Sequence, residues 1–600
     1  MTAGTNSGMT KRNRPLKFKA LIKRFKHWIF KWLVSENLHR VYMHYRAENL
    51  QKFWFGKPSL PAPPLEKKYF EKIALSSSVV RRLDDYRAAA VVNGESSLPL
   101  DHCNGSIAIE LAITPEYDYD GLSGPVIKLK LGDHETCIHD LPHERWYDIR
   151  LDVRGNADEL IVNADAPIAI TMPRGVNCNT KPKTEQYARH IVVLVLDAWT
   201  TSVVTRSHPF TGEATSTPNI DLFFSSGLRA MQGVSSGQWS LPAVGSLFTG
   251  LHVGRHRMTH PTRWQEFDLN RRTLPEYFQH NGYHTLCGSV VSRITPAFGH
   301  NRGFDRFLYH FAERYYSYQA YDPAVWTQEI ISHLEIYHGD RTFSYFQFPD
   351  THPSWDLAPD TRYFHLGRRG NTSVNIRKLM NSGTRENFDI PAQASQIYLL
   401  RLAELDRMFG CIFDYVERRL GDEAIFVVTA DHGLRMPYLS EAHKNDEPFL
   451  TDIRVNIPLY MRGKGIPERV FDNLCSPNVD IPVMLLNLSG IKSDTDDLDG
   501  VNILNSEVKR EVVVSEYVYA GIYEIAVRGY GHALFLKYKI DDVKYKILSS
   551  DPFYTGLYPL GIAEYLPESN LVKSNPDLAE KLFKAALSHI SKAGLTGKTA

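Results

Sequence analysis

Cysteine is scarce in this chain and organised for nothing obvious. The 600 residues contain six, Cys103, Cys137, Cys178, Cys287, Cys411 and Cys475, with no CxxC pair and no framework spacing. That pattern excludes a zinc ribbon and a disulfide scaffold, and free thiols in a reducing compartment are expected. Long hydrophobic runs are missing too: no stretch reaches the roughly 18 apolar residues that a membrane-spanning helix needs. At the N-terminus, Lys and Arg interrupt the apolar stretches and no small-residue cleavage site comes after them, so no signal peptide is read. These absences predict a cytoplasmic chain. Charge of one sign is also lacking, because 69 basic residues face 68 acidic ones and the net charge is +1. The chain as a whole is therefore no polyanion binder, and no nucleic-acid partner is expected.

What is present is length, and more of it than one hydrophobic core can organise. Residues 1–56 form a basic, aromatic segment. Lys11, Arg12, Arg14, Lys17, Lys19, Lys23, Arg24, Lys26 and Lys31 occur with no acidic residue among them, while Leu21, Phe25, Trp28 and Trp32 recur at helical spacing. A helix of this kind can lie on an anionic membrane through residues 11–34, peripheral at its inner face, or pack on the protein and show its lysines to water. A proline-rich linker spans 57–69. Residues 70–180 then alternate in short period-two runs, such as Val126-Ile127-Lys128-Leu129-Lys130-Leu131, and predict a β-sandwich-like accessory domain.

From residue 187 the texture changes. Ile191-Val192-Val193-Leu194-Val195-Leu196 and Ala424-Ile425-Phe426-Val427-Val428-Thr429 are continuous apolar strands of the kind buried on both faces of a parallel sheet. With helical patterns between them, residues 187–504 predict an α/β catalytic domain around a central mixed sheet. Residues 505–600 return to strands and end in a helix, a C-terminal α+β subdomain. The two apolar strands run into acids, Leu196-Asp197 and Ala430-Asp431-His432-Gly433. Ligands gather beyond the carboxyl ends of such strands, and two carboxylates with an imidazole can hold one divalent ion.

Further along, Thr217-Pro218-Asn219-Ile220-Asp221 precedes Ser240-Leu241-Pro242-Ala243-Val244-Gly245-Ser246-Leu247-Phe248-Thr249-Gly250. Then come Thr273-Leu274-Pro275-Glu276, Gly282-Tyr283-His284-Thr285, Gly303-Phe304-Asp305, Asp350-Thr351-His352-Pro353, Asp431-His432-Gly433 and Asn456-Ile457-Pro458-Leu459. Collinear in this order over 187–595, these motifs resemble the sulfatase-like hydrolases and transferases of the alkaline phosphatase superfamily. The resemblance implies that fold for the catalytic domain. It also implies that Asp197, Asp431 and His432 ligate a metal beside a nucleophile and fourth ligand at Ser240. His352, His443 and Lys444 would contact the transferred group, with His352 also catalytic.

The chain departs from the family pattern at three places. Val244 stands where the family has the arginine that guides conversion of the nucleophile to formylglycine. Ser289, Val290 and Val291 stand where a Lys or His is usual, and Ala198 replaces the second acid of an Asp-Asp pair. An unmodified Ser240 is therefore expected, which favours a phosphate ester or diester on a glycan- or lipid-linked substrate. Mn²⁺ or Zn²⁺ is favoured as the ion, with Ca²⁺ and Mg²⁺ also open. The alternatives are a sulfate ester hydrolase with an atypical nucleophile, or an inactive relative that binds glycan through the 70–180 segment.

Overall fold

The computed structural model describes residues 60–116, 124–142, 145–153, 157–176, 187–204, 212, 215–259, 267–291, 293–309, 323–352, 389–434 (backbone alone for 389–397), 447–493, 497–519, 521–541, 543–562 and 565–596. The basic segment over 1–56, with the membrane contact expected of 11–34, lies outside the described residues, as do Cys178, His443 and Lys444. Among the described residues no helix is long and apolar enough to cross a membrane. The five described cysteines are free, Cys103, Cys287 and Cys475 being buried and Cys137 and Cys411 exposed.

The proline-rich run read as a linker has structure of its own. Leu60–Pro61 (β1) pairs with Ser77–Arg82 (β2), and Pro64–Glu71 (α1) is a helix with proline at its first position. Proline suits that position because its missing N–H has no helical partner to lose. Burial of Tyr69 and Phe70 holds the helix down, a contact that composition alone does not announce. The strand-rich segment continues through Asp85–Pro99 (β3), Ala108–Pro115 (β4), Ile127–Leu131 (β5), His134–Ile138 (β6), Tyr147–Asp152 (β7), Glu159–Thr171 (β8) and Arg174–Val176 (β9). All its pairings are antiparallel, and its inward residues, among them Leu98, Ile113, Ile127, Leu160 and Ile170, form a core of their own. The long β3 shifts register against β8 between Val92 and Gly94, where Gly94 takes φ +82°. A bulge there bends the strand, so one strand serves two parts of the layer.

The central sheet comprises His190–Leu196 (β10), Leu228–Val234 (β11), His284–Ser289 (β12), Arg306–Tyr309 (β13), Thr342–Phe348 (β14), Ala424–Ala430 (β15), Asn456–Arg462 (β16) and Arg469–Phe471 (β17). Pairing runs β13–β12–β14–β10–β15 in parallel, then β16 antiparallel to both β15 and β11, with β17 parallel beside β11. Strands β10, β14 and β15 are buried at every residue, as the continuous apolar runs of β10 and β15 require. The strand-rich layer joins this sheet directly, through Tyr86 and Asp85 of β3 opposite Phe307 and Leu308 of β13. That pairing covers an edge strand that would otherwise present open hydrogen-bonding groups.

Helices flank the sheet: Pro218–Phe223 (α2), Ser240–Thr249 (α3), Val253–His256 (α4), Leu274–His280 (α5), Pro323–Ile336 (α6), Asp389–Arg419 (α7), Asp452–Val455 (α8) and Pro477–Leu488 (α9). A second sheet of Val513–Tyr519 (β18), Ile522–Gly529 (β19), His532–Asp541 (β20), Lys546–Ile547 (β21) and Tyr554–Pro559 (β22) is antiparallel throughout. The terminal helix Pro576–Lys592 (α10) packs on one face of it through Leu582, Ala586 and Ile590. The other face meets Val234, Phe449, Leu450 and Val455.

Several of the motifs prove to be fold devices. Asp406 of α7 accepts from the backbone N–H groups of Asn219 and Ile220 and from the Asn219 side chain at 2.7–3.0 Å, satisfying the free start of α2. Thr273 and Glu276 form a capping box on α5, and Glu276 also pairs with Arg302 at 2.8 Å. Gly303, at φ +80°, lies so close to the Glu276 backbone that a Cβ would come within 2.2 Å of its nitrogen.

Glu66 of α1 is buried against α5. Its Oε1 accepts from Gln279 at 2.8 Å, and its Oε2 has no hydrogen-bond partner. Burial pushes its pKa up from 4.5 to about 7, with Asp305 adding to the rise and Gln279 opposing it. Below the unfolded pKa both states are protonated. As pH rises towards 7, only the unfolded chain ionises freely, so stability falls across about 4.5 to 7. Glu66→Gln mimics the protonated form. It should leave the urea midpoint unchanged at low pH and raise stability by up to about 3 kcal/mol at pH 8. An equal midpoint for both proteins at pH 8 would refute this.

Candidate active site

Strand register assembles the site. Leu196 of β10 lies opposite Phe348 of β14 on one side and Ala430 of β15 on the other, so the three strands end level. Asp197 and Asp431, each the first residue past its strand, come together because those strands stop in the same row. Asp197 is fixed from behind, its N–H donating to Phe348 O at 2.8 Å and its carbonyl accepting from Thr351 Oγ1 at 2.6 Å.

The third group arrives on the same turn as Asp431. His432 Nε2 lies 3.3 Å from Asp197 Oδ1 and 3.7 Å from Asp431 Oδ2. Its Nδ1 lies 2.9 Å from its neighbour's carbonyl, Gly433 O, and an N–H there turns Nε2 towards the two carboxylates, where it can carry a second proton or ligate an ion. One ligand atom from each of Asp197, Asp431 and His432 lies within 4.8 Å of the others, and all three residues are buried. Oxygen, oxygen and imidazole nitrogen converging on one point, with the ring nitrogen's proton already parked elsewhere, fit a divalent ion.

The electrostatics express the same crowding. Burial raises the Asp197 carboxyl, but His352, His432 and Ser240 outweigh it and leave it below the usual carboxylate range. Asp431 is pushed up to about 6 by burial and then by the charge of Asp197. Burial would neutralise His432, yet Asp431 and Asp197 overcome it and carry the imidazole up to about 9. Without a cation the cluster thus holds protons that a metal would displace.

Ser240 opens α3, with Trp239 as its extended N-cap. Its Oγ lies 3.4 Å from each oxygen of Asp197, long for a hydrogen bond but aimed at the cluster. The free N–H groups of the first turn favour negative charge at this point. Every residue from Ser240 to Phe248 is buried, Val244 included. Gly245 is required because His256 packs against it, leaving 2.8 Å to any Cβ. His256 itself accepts from Met258 N at 3.0 Å through Nδ1, so its Nε2–H faces Ser246 Oγ, also at 3.0 Å.

His352 is half-buried beyond the end of β14, near enough to Asp197 to depress its pKa. Asp350 is engaged elsewhere, in a fully buried ion pair with Arg401, which also holds Glu404 at 2.7 Å. Of the sequence-derived site residues, Asp197, Ser240, Asp431, His432 and His352 are thus brought to one place, and His443 and Lys444 lie outside the described residues.

Several supporting groups escaped sequence reasoning. Ala198 sits at φ +66°, a conformation that costs a residue with a Cβ about 1–2 kcal/mol. There its N–H donates to Asp431 Oδ1 at 3.0 Å, so the backbone at this position orients the acid from the neighbouring strand. Gln347 donates to Asp431 Oδ2 at 2.9 Å, with Tyr345 donating to its amide oxygen and fixing its orientation. A lone amide inside the apolar strand Thr342–Phe348 was a usable signal. Ser235 and Asn478 donate to Asp431 O at 2.5 and 3.4 Å, and nothing local marks either.

Solved structures share this fold. A phosphonate monoester hydrolase from Silicibacter pomeroyi aligns with a TM-score of 0.52 at 14% identity, covering 67% of this chain and 95% of that one. A protein solved with its substrate D-glucosamine-2-N,6-O-disulfate aligns with a TM-score of 0.52 at 15% identity, covering 68% and 98%. In sequence, a Sulf-1 homolog of the extracellular sulfatases from Caenorhabditis elegans is 25% identical over 142 residues, 23% of this chain and 18% of that protein. Residues 189–491, just over half of the chain, match the sulfatase family model. The chain therefore belongs to the sulfatase family, whose members are typically metal-dependent.

Proposed function

We propose that this chain is a metal-dependent hydrolase or transferase that cleaves a phosphate ester or diester of a glycan- or lipid-linked substrate through Ser240. The observation that carries the proposal is the position of Ser240: an oxygen at a helix start, 3.4 Å from both Asp197 oxygens, with Val244 buried one turn on. Asp197, Asp431, His432 and the Ser240 oxygen would hold the ion, with Mn²⁺ or Zn²⁺ favoured. Bound there, a divalent ion would offset charge on the ester oxygens and favour ionisation of the nucleophile.

Ser240 Oγ forms the new bond to phosphorus as the ester oxygen departs, leaving a seryl phosphoester. His352, at the rim of the cluster, delivers the proton that the departing alcohol needs. Water, or an acceptor alcohol in a transferase, then attacks phosphorus of the seryl ester, giving its proton back to His352, and the serine oxygen departs. Ala198 N–H and Gln347 hold the Asp431 carboxylate in place throughout. His443 and Lys444 are proposed to bind the transferred group. A sulfate ester hydrolase with an atypical nucleophile is the second reading, supported by the family itself.

Ser240→Ala should lower kcat by about a thousandfold or more on phosphate esters or diesters, while Asp197, Asp431 and His432 still retain the metal. Mass spectrometry of the peptide spanning Ser240 should find plain serine. Formylglycine-type oxidation there, with turnover confined to sulfate esters, would reverse the assignment. Asp431→Asn and His432→Ala should each lose the metal bound at this cluster together with turnover, and full turnover in either refutes the metal site. His352→Ala should cost about 100- to 10,000-fold with a poor leaving group and far less with nitrophenolate, which needs no proton. Equal losses on both substrates would remove His352 as the acid.

Metal affinity should itself depend on pH. Between about 6 and 9 the free cluster holds a proton on His432 that the ion must displace. Affinity should therefore rise by up to about tenfold per pH unit across this window, and fall more steeply below it as Asp431 protonates. A competition titration at three pH values checks the slope, and a flat profile would contradict it.

A further inference from the structure

The described residues contain a second convergence of metal-binding side chains, away from the first. His252 stands at the start of α4, Glu516 lies on β18 and His589 is near the end of α10. One ligand atom from each lies within 4.8 Å of the others. The two imidazoles meet edge to face with ring centroids 4.9 Å apart, and His589 Nε2 is 3.1 Å from Glu516 Oε2.

The groups are buried but incompletely satisfied. His252 is 9% exposed, and its Nδ1 has no hydrogen-bond partner. His589 Nε2, although close to Glu516, is likewise without an aligned hydrogen bond. Buried polar atoms are normally paired, so an imidazole nitrogen of His252 with no partner, beside the close His589–Glu516 contact, needs an explanation. Glu516 is held rigidly, accepting from Gly254 N at 2.9 Å and Tyr523 Oη at 2.8 Å. Gly254 makes room for it, since a Cβ there would come within 2.6 Å of Glu516 Oε1.

We propose that His252, Glu516 and His589 bind a zinc ion that ties the terminal helix and second sheet to the start of α4, just beyond the helix bearing Ser240. Two imidazoles and one carboxylate are a donor set zinc takes readily, with water in the fourth position. Tetrahedral bonds of about 2.0–2.1 Å place ligand atoms about 3.3–3.4 Å apart, a spacing that His589 and Glu516, at 3.1 Å, already nearly have. The His589 side chain is 11% exposed and gives the ion its way in. Asp499 does not compete as a ligand, being engaged by Arg255 at 2.7 Å and Lys592 at 2.6 Å. No group of the proposed catalytic cluster takes part, and the proposal stands whether or not that cluster binds metal.

The test uses the full chain, stripped with chelator and titrated with ZnCl2 against a chromophoric competitor. In an Asp431→Asn/His432→Gln background, one zinc equivalent should remain, and it should raise the thermal midpoint by several degrees. Adding His252→Gln and His589→Gln should abolish both effects. A background that binds no zinc, or binds it equally after those changes, overturns the proposal. Should the combined variant fail to fold, the wild-type chain and His589→Gln are compared with Co²⁺. The wild type should then show one more tetrahedral Co²⁺ spectrum per chain than His589→Gln, and identical spectra and stoichiometry overturn the proposal.

Discussion

The level ending of β10, β14 and β15 is the constraint on which the rest depends. In a parallel sheet one register slip would turn each side chain to the opposite face. Here Leu196, Phe348 and Ala430 share a row, so Asp197 and Asp431 must emerge side by side. Two buried carboxylates this close repel, and the repulsion is visible in the pKa of Asp431, raised to about 6 by burial and by Asp197. The fold accepts this cost and then surrounds the acids with donors: Ala198 N–H, Gln347, His432 and Ser240. Such an arrangement supports the proposed cation site.

The support reaches outward from there. Ser235 donates to Asp431 O, and its own carbonyl accepts from Ser515 of the second sheet at 2.6 Å, while Glu516 N donates to Ser236 O at 2.8 Å. The C-terminal sheet thus grips the loop leading into α3 from behind. On the far side, the strand-rich N-terminal layer caps the open edge at β13 and is pinned by Arg306 to Asp85 at 3.1 Å. Both additions brace the central sheet without contributing a side chain to the described cluster.

How much could be read from sequence depended on how local each signal is. Unbroken apolar strands announce a parallel sheet buried on both faces, and an acid directly after such a strand announces its exposed end, so Asp197, Asp431 and His432 were legible. The continuity of the sheet from β13 into β3 was not, because two residues of pairing leave no mark in composition. Nor was α1, where Tyr69 and Phe70 decide the matter through contacts with strands far along the chain. Gln347 was visible in principle as the one amide in an apolar strand. Ala198 was not, since its part is played by backbone N–H and a positive φ.

The three departures from the family pattern share a physical direction. Val244 and Ala198 replace charged side chains with apolar ones in fully buried positions, and Val290 and Val291 are buried where a cation is usual. A buried cation that grips an anionic ester is useful only if its desolvation is offset by the substrate's charge. Valine in its place would remove that cost and leave the proposed ion, the α3 N-terminus and histidines to meet the anion. On the proposed reading, recognition then depends more on the ion and less on fixed side-chain charge. Affinity for the transferred group should accordingly track metal occupancy closely, and the neutral Ser240 end of the site suits a nucleophile that needs no oxidative maturation.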